Sequence, residues 1–221
     1  YVKTVRGGPV EGGSTSVSVG GVFALNRVIN SVEAVIEDSD GIDAGGLVTV
    51  SAINRSEISS YVVSPVISID YTYGESANGK SFAIGLVVSR NAIDVGVTAK
   101  IDGVSDMDAG AVTVEAVQEG KIDATAAAAA VSVAAGTGSG LAVGVAGTIA
   151  FNTILGSASA LIQDSDVQAT AAVTVSAANS ADIDATIAAA AASVAGGFNS
   201  SGTAIAVGIV LAFNYVGYSG S

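Results

Sequence analysis

The chain is built from an internal repeat, and this repeat constrains the fold more than any other feature of the sequence. The segment 121–152 reads KIDATAAAAAVSVAAGTGSGLAVGVAGTIAFN and returns at 182–214 as DIDATIAAAAASVAGGFNSSGTAIAVGIVLAFN. Recurring asparagines mark the copies at separations of 65, 61 and 62 residues: Asn26, Asn91, Asn152 and Asn214. A single unit of this kind cannot bury its own apolar residues, so the repeat predicts stacked neighbours that share one core.

The asparagine markers divide the chain into five parts. They are the end of a preceding repeat at 1–25, three full repeats at 26–90, 91–151 and 152–213, and the start of a further repeat at 214–221. Both ends fall inside a repeat, and no apolar leader opens the chain. We therefore expect the sequence to be a segment of a longer array.

The apolar segments alternate between large and small residues, which favours strands over helices. Large residues at 205, 207, 209, 211 and 213 are separated by Ala, Gly or Val, and residues 141–151 follow the same parity. An alternation of period two sends each set to one face of a pleated strand. We expect the large residues to fill the core, and the Ala/Gly face to let a second layer approach closely.

The repeat predicts an all-β fold, namely a repetitive β-solenoid or an elongated stacked β-sheet array with ~62-residue units. Each unit is expected to supply about four strands, at SASALIQD, AVTVSA, the alanine run and the apolar arm. Turns are expected at DSDV, at AANSAD, at GGFNSSG and at the asparagine that ends the unit. A membrane helix needs about 20 continuous apolar residues. The Gly/Ser breaks interrupt every apolar run, so no membrane insertion is expected.

Composition restricts the chemistry that the chain can perform. Acidic residues outnumber basic ones 20 to 8, which makes a nucleic-acid partner unfavourable. The sequence contains no Cys and no His, so thiolate nucleophiles, the usual zinc sites and histidine acid–base catalysis are excluded. No catalytic motif is recognisable, and we predict that the protein is not an enzyme.

Two sets of residues are candidate binding sites. Clustered aspartates could bind Ca²⁺ through their oxygens, although Asp at turns also caps its own backbone, which is the alternative interpretation. Tyrosines in the first repeat could stack on sugar rings, or they could simply pack. The candidate metal ligands are Asp38, Asp40, Asp43, Asp102, Asp106, Asp108, Asp164 and Asp166, and the candidate ligand-binding residues are Tyr61, Tyr71 and Tyr73.

The repeat cycle resembles the arrays of giant secreted bacterial surface proteins, of the filamentous-haemagglutinin-like and leukotoxin-type filamentous adhesin kind. The resemblance rests on the residues A-x-I-x-D-S-x-V-x-A, V-T-V-x-A, the alanine run with S-V-A-G-G, and A-I-A-V-G, and it covers residues 14–221. It implies an extracellular β-solenoid or β fibre at the bacterial cell surface. Residues 61–82 depart from the pattern, and departures in a repeat are where binding surfaces tend to be added.

Together these observations predict a non-enzymatic structural β-repeat segment of an extracellular bacterial filament, adhesin or biofilm matrix fibre. Apolar strands with little charge suit self-association, because edge strands are templates for further pairing. The alternative is a carbohydrate- or Ca²⁺-binding module of a surface adhesin, with a host surface as partner. A weaker third hypothesis is the scaffold of a secreted polysaccharide-active enzyme.

Overall fold

The computed structural model describes residues 1–9, 12–198 and 200–218, and this part of the chain is built from strands without any helix. The strands are β1 (Val2–Pro9), β2 (Ser14–Glu37), β3 (Ile42–Tyr73), β4 (Gly79–Asp102), β5 (Met107–Gly136), β6 (Gly140–Gln163), β7 (Val167–Ala169), β8 (Val173–Gly197) and β9 (Gly202–Gly217). They form an elongated array of long, stacked, parallel strands, which confirms the predicted all-β, solenoid-like fold. Because no described residue is helical, none belongs to a helix that could cross a membrane.

The strands form two parallel sheets. In sheet A, β1, β3 and β5 follow one another, and both β7 and β8 pair with β5, whereas sheet B has the order β2, β4, β6, β9. The chain passes from one sheet to the other and back, so each repeat forms one coil with a long path in each sheet. Every pairing is parallel, because equivalent strands of successive coils lie side by side.

The prediction of four strands per unit is therefore wrong, because the predicted segments join in pairs to form longer strands. AANSAD lies inside β8, and Asn152 lies inside β6, so neither is a turn. These polar residues are compatible with a strand because Asn152 bonds other side chains inside the molecule, whereas Ser180 and Asp182 are exposed. The expected turn at DSDV is confirmed, since β6 ends at Gln163. Of the expected turn at GGFNSSG, Asn199 lies outside the described residues, and β8 ends before it at Gly197.

The unequal spacing of the repeats is absorbed outside the regular ladders. Five residues connect β3 to β4, whereas three connect β5 to β6. A bulge in β3 lies between Ala44 and Leu47, which pair with Ala109 and Ala111 of β5. The strands consequently keep their register from coil to coil, and the four marker asparagines pair with one another.

The half of each coil between the marker asparagines and the Asp-containing turns, here called the large-residue half, has a conventional core. Ile93, Val97 and Ile101 of sheet B and Val112 and Ile122 of sheet A are almost completely buried. Each large apolar side chain of this kind contributes roughly 1.5–3 kcal/mol when it is fully buried. The outward positions are more polar and include the charged side chains of β4 and β5, such as Lys100 and Glu119.

The other half of each coil, here called the small-residue half, has an interior of Ala, Gly and Ser. A Cβ atom on Gly85 would lie 3.0 Å from the carbonyl oxygen of Ala129, and one on Gly144 would lie 3.0 Å from that of Ala192. The two sheets thus approach so closely that short side chains reach the opposite backbone: Ser132 Oγ donates to the carbonyl of Ser81 at 2.7 Å. The predicted close approach of a second layer on the Ala/Gly face is present in this half.

The large alternating residues of the small-residue half point outward, so the prediction that they fill a core is wrong. Phe23, Leu86 and Leu211 are 68%, 47% and 46% exposed, whereas Ala142 and Ala146 between the large residues of β6 are fully buried. The close approach of the sheets favours small side chains inside, and the largest apolar ones buried there are valines such as Val66 and Val87. Alternation separates the two faces of a strand, but which face is buried depends on the sheet that lies opposite.

Candidate functional site

The candidate metal ligands lie along one edge of the solenoid, at the turns of the large-residue half. Six of the eight are in or beside the turns at 38–41, 103–106 and 164–166, and the other two, Asp43 and Asp108, are neighbours in register on β3 and β5. Among the described residues, however, no group of three acidic, His or Cys side chains is arranged to hold a metal ion. The geometry therefore gives the Ca²⁺ prediction no support.

The polar groups of this edge instead satisfy one another. Ser105 Oγ donates to Asp40 Oδ1 at 2.7 Å, and Ser165 Oγ donates to the carbonyl of Gln163 at 2.7 Å. Backbone bonds also join successive turns, since the amide of Asp166 donates to the carbonyl of Val104 at 2.8 Å. Side chains of Ser and Asp that bond near their own turn are typical of structural turns.

Lys100 lies between two carboxylates at this edge. Its Nζ lies 3.2 Å from Asp102 Oδ2 and 3.6 Å from Glu37 Oε2, and the bond to Asp102 is the main cause that raises the pKa of Lys100. A side-chain hydrogen bond with Gln163, and then the one from Lys100, lower the pKa of Asp102. Asp102 therefore stabilises the fold at pH values above its ordinary pKa, and this stabilisation is lost as the pH falls through its lowered pKa. Lys100 stabilises the fold at pH values below its ordinary pKa, and this stabilisation is lost as the pH rises through its raised pKa.

The structure brings together two of the three candidate tyrosines. Tyr71 and Tyr73 are neighbours on the outer face of β3, with ring centroids 6.2 Å apart. Tyr61 lies on the same face and is 79% exposed. It is ten residues earlier on the strand, roughly 33 Å from Tyr71 at the usual rise per residue. The three residues therefore do not form one binding platform.

The marker asparagines form a continuous ladder of side-chain amides through the interior. Asn26 Nδ2 donates to Asn91 Oδ1 at 2.8 Å, Asn91 Nδ2 to Asn152 Oδ1 at 2.8 Å, and Asn152 Nδ2 to Asn214 Oδ1 at 2.9 Å. Asn91 and Asn152 are completely buried. Their strict recurrence identified these positions in the sequence, but the side chains serve to fix the register of sheet B, where a slip of one residue would break every bond of the ladder.

A second column of interior amides, on sheet A, was not predicted. Asn54, Gln118 and Asn179 are in register on β3, β5 and β8. Gln118 is completely buried, and neither its Nε2 nor its Oε1 has a hydrogen-bond partner among the residues that the structure describes. Asp70 is also completely buried, and its Oδ1 accepts a bond from Ser14 Oγ. The recurrence of an amide residue at this place in each repeat could have identified the column of Gln118, whereas Asp70 pairs with Ala134 in the next coil and does not recur.

The outer side of sheet B in the small-residue half is a surface of large apolar side chains. Its side chains are at least partly exposed, and the rings of Phe151 and Phe213 stack with centroids 5.0 Å apart. We call this surface the apolar face. It consists of Val17, Val19, Phe23 and Leu25 on β2, Phe82, Ile84, Leu86 and Val88 on β4, Leu141, Val143, Val145, Ile149 and Phe151 on β6, and Ile205, Val207, Ile209, Leu211 and Phe213 on β9.

Two basic residues of β4 border the apolar face. Lys80 lies at the end near the Gly/Ser turns, and Arg90 lies at the end near the amide ladder, in register with Leu25 and Phe151. Between Asp123 and Asp164 the chain contains no charged residue at all, so β6 contributes only uncharged side chains to the face. A contiguous apolar surface of this size is a feature of interaction sites.

Comparison with known proteins identifies no relative: no family model, no curated protein and no solved structure matches this chain.

Proposed function

We propose that this chain is a non-enzymatic structural β-repeat segment of an extracellular bacterial filament, adhesin or matrix fibre, and that it extends by strand pairing at the edges of its two sheets. The in-register parallel ladder is the observation that carries this proposal. Each coil presents to the next the same backbone groups and closely similar side chains, for example Val112, Thr113 and Val114 against Val173, Thr174 and Val175. Such an edge is a template for another strand of the same kind.

The edges of the stack are long. Within the described residues, β8 and β9 have partner strands on one side only, and at the other end the same is true of β1 and β2. A strand at an edge leaves the backbone groups of one side unpaired by the sheet, and parallel pairing with a further coil satisfies them. The amide ladder adds specificity, because Asn214 at the edge of sheet B can continue it.

The distribution of polar groups also supports a structural role. The open grooves on the surface lie between equivalent residues of successive coils, as in the groove beside Asp43, Asp108 and Gln168. Polar side chains thus recur once per coil instead of converging on one cleft, which is where ligands are usually held. The extracellular location rests on the resemblance to secreted filamentous adhesins, and a chain without cysteine is compatible with it.

Electron microscopy of the purified chain, combined with proline substitutions at an edge strand, tests this proposal. Successive N–H groups of a strand point to opposite sides. One of the two substitutions Ala206→Pro and Val207→Pro in β9 therefore removes a hydrogen bond to β6, and the other removes only an N–H donor at the free edge of the sheet. We expect uniform fibres from the unchanged chain. The proline variant that keeps the native circular dichroism spectrum and melting temperature should form none.

Compact particles from the unchanged chain at every concentration would contradict the proposal. So would fibres of normal length from the folded proline variant, because growth would then not depend on this edge. A glycine at the same two positions is the matched control, since it keeps the N–H donor that proline removes.

A further inference from the structure

We propose that the apolar face is an interface between two copies of this chain, which pack with these faces against each other. This lateral contact is independent of the proposed elongation, because it uses the outer side of sheet B and not the edges of the strands. The first reason lies in the sheet type: parallel sheets occur almost only with both sides covered. Sheet A covers one side of sheet B, and no described segment of this chain covers the other.

The size of the face fits a protein partner. Four strands spaced about 4.8 Å apart, each contributing about eleven residues at roughly 3.3 Å per residue, give a flat area of roughly 700 Å². A stable interface of standard size buries about 800 Å² on each partner. The face is therefore large enough for a specific dimer, and its composition of Ile, Leu, Val and Phe with little charge resembles the core of an interface.

A second copy fits this face better than a lipid bilayer does. Insertion of the small-residue half into lipid would place the edges of β8 and β9 in hydrocarbon, where unpaired backbone groups cannot be satisfied. On the outer side of sheet A in the same half, β5 and β8 carry mainly alanine, which is weakly apolar, and β3 adds exposed tyrosines, whose hydroxyl groups are polar. An identical face, in contrast, supplies a matching surface of large side chains.

The distribution of charge selects one orientation of the two copies. We place a twofold axis at the column of Leu86 and Gly147, parallel to the direction in which the coils stack. This axis brings only the small-residue halves of the two copies face to face. The large-residue halves, with outward charges such as Lys100, then extend in opposite directions and stay in water. The same axis places Arg90 of each copy opposite Phe82 of the other, where a guanidinium can lie on an aromatic ring.

Single-cysteine cross-linking tests the interface directly, because the chain has no cysteine of its own. Because the twofold axis passes the column of Leu86, the two copies of this residue lie close together. Leu86→Cys should therefore form covalent dimers with a short bismaleimide. Thr98→Cys, outside the apolar face on the same strand, is the matched control and should remain monomeric. Elongation through strand edges cannot produce this result, since it keeps the Leu86 positions of two copies four coils apart, about 19 Å.

Sedimentation velocity supplies a second readout that does not depend on a cross-linker. Leu86→Lys combined with Ile149→Lys should weaken dimerisation about tenfold or more, because charge would be buried without a partner. Thr98→Lys combined with Ser159→Lys adds the same charge to the polar part of sheet B and should leave the dimer unchanged. Native circular dichroism in both variants shows that folding is not the cause.

Three results would overturn the proposal. The first is a monomeric chain that floats with phosphatidylcholine vesicles, which would assign the face to lipid. The second is a monomer that binds no vesicles, and the third is cross-linking of Thr98→Cys as efficient as that of Leu86→Cys. Loss of fibres in the β9 proline variant with retained Leu86→Cys cross-linking would separate elongation from lateral pairing.

Discussion

Gly103 occupies a position where the backbone conformation restricts which residue types fit. Its φ is +63°, and the residues at the corresponding place in the other two turns, Asp38 and Asp164, have φ of +45° and +49°. A Cβ on Gly103 would also lie 2.8 Å from Asp38 Oδ1. Asp tolerates the left-handed region better than most side chains, and Gly enters it without steric cost, which explains this set of residues.

Gly103→Ala should therefore destabilise the fold by about 1–2 kcal/mol, from the left-handed conformation and the contact with Asp38. Urea unfolding followed by circular dichroism measures the change. Gly96→Ala is the control, because Gly96 lies on β4 with its nearest contact at an ordinary 3.5 Å, and it should be neutral or slightly stabilising. Equal effects of the two substitutions would show that the turn conformation is not the cause.

The amide ladder makes Asn91 the most sensitive polar residue of the interior. Asn91→Leu removes both ladder bonds, together with a long bond of 3.5 Å to Ser89 Oγ, and deprives an amide of Asn26 and an oxygen of Asn152 of their ladder partner. Because each unsatisfied buried group costs about 1–3 kcal/mol, we expect a loss of roughly 2–4 kcal/mol in the free energy of unfolding. Asn214→Leu, at the exposed end of the ladder, should cost about 1 kcal/mol or less, and a larger loss there than at Asn91 would contradict this assignment.

At the scale of the strands, the two halves of a coil differ in the distance between the sheets. This difference follows from which residues alternate. Ile, Val and Met fill most of the large-residue half, whereas the other half is filled mainly by Ala, Gly and Ser, with a few valines such as Val66 and Val87. Hydroxyl groups then bond the opposite backbone directly, as Ser193 Oγ does with the carbonyl of Ile205 at 2.6 Å. Small interior residues and close sheets therefore require each other.

Gly144→Val tests this dependence, because its side chain would meet Ser193 Oγ and the carbonyl of Ala192 within about 3 Å. Overpacking of this kind typically costs 1–3 kcal/mol, and we expect a loss of about that size in thermal unfolding. Gly96→Val places the same side chain on the outer surface of the neighbouring strand and should be neutral or stabilising. If both variants melted at the same temperature as the unchanged chain, the sheets would not be in close contact at Gly144.

The strands were predictable from the sequence, but their number was not. Alternation in residues 141–151 and 205–213 identified strands, and homology between repeats assigned the alanine runs to strands as well. The continuity of β6 and β8 was missed because Asn, Ser and Asp are frequent in turns. In a parallel stack, a polar residue can remain in a strand when its neighbour in the next coil supplies the hydrogen bond, as Asn152 shows.

At the scale of the molecule, stability should decrease from the central coils to the edges. β4 and β5 have partners on both sides, whereas β9 pairs, among the strands of the described residues, with β6 alone. In hydrogen exchange of dilute protein, we expect strong protection throughout β4 and β5, and fast exchange at alternate amides of β9. These fast amides should become protected once fibres form. Uniform protection of β9 before and after assembly would contradict both the edge assignment and elongation through it.

The sequence by itself determined the period, the strand conformation and the equivalence of positions between coils. These properties are local or follow from repetition, so the alternation of side chains and the spacing of Asn26, Asn91 and Asn152 express them directly. The candidate site was less predictable. Six of the eight aspartates lie in or beside turns as expected, whereas Gln118 and Asp70 were not identified because their interior placement depends on the register of sheet A.

Only the tertiary structure decided which face of each strand is buried. Both faces of β6 and β9 are apolar, so transfer from water favours burial of either one. The choice depends on the separation of the two sheets, which no single segment encodes. It places Ala142 and Ala146 inside and Ile149 and Phe151 outside, because the narrow space between the sheets at β6 fits small side chains. The same physical constraint leaves the apolar face on the surface of the molecule.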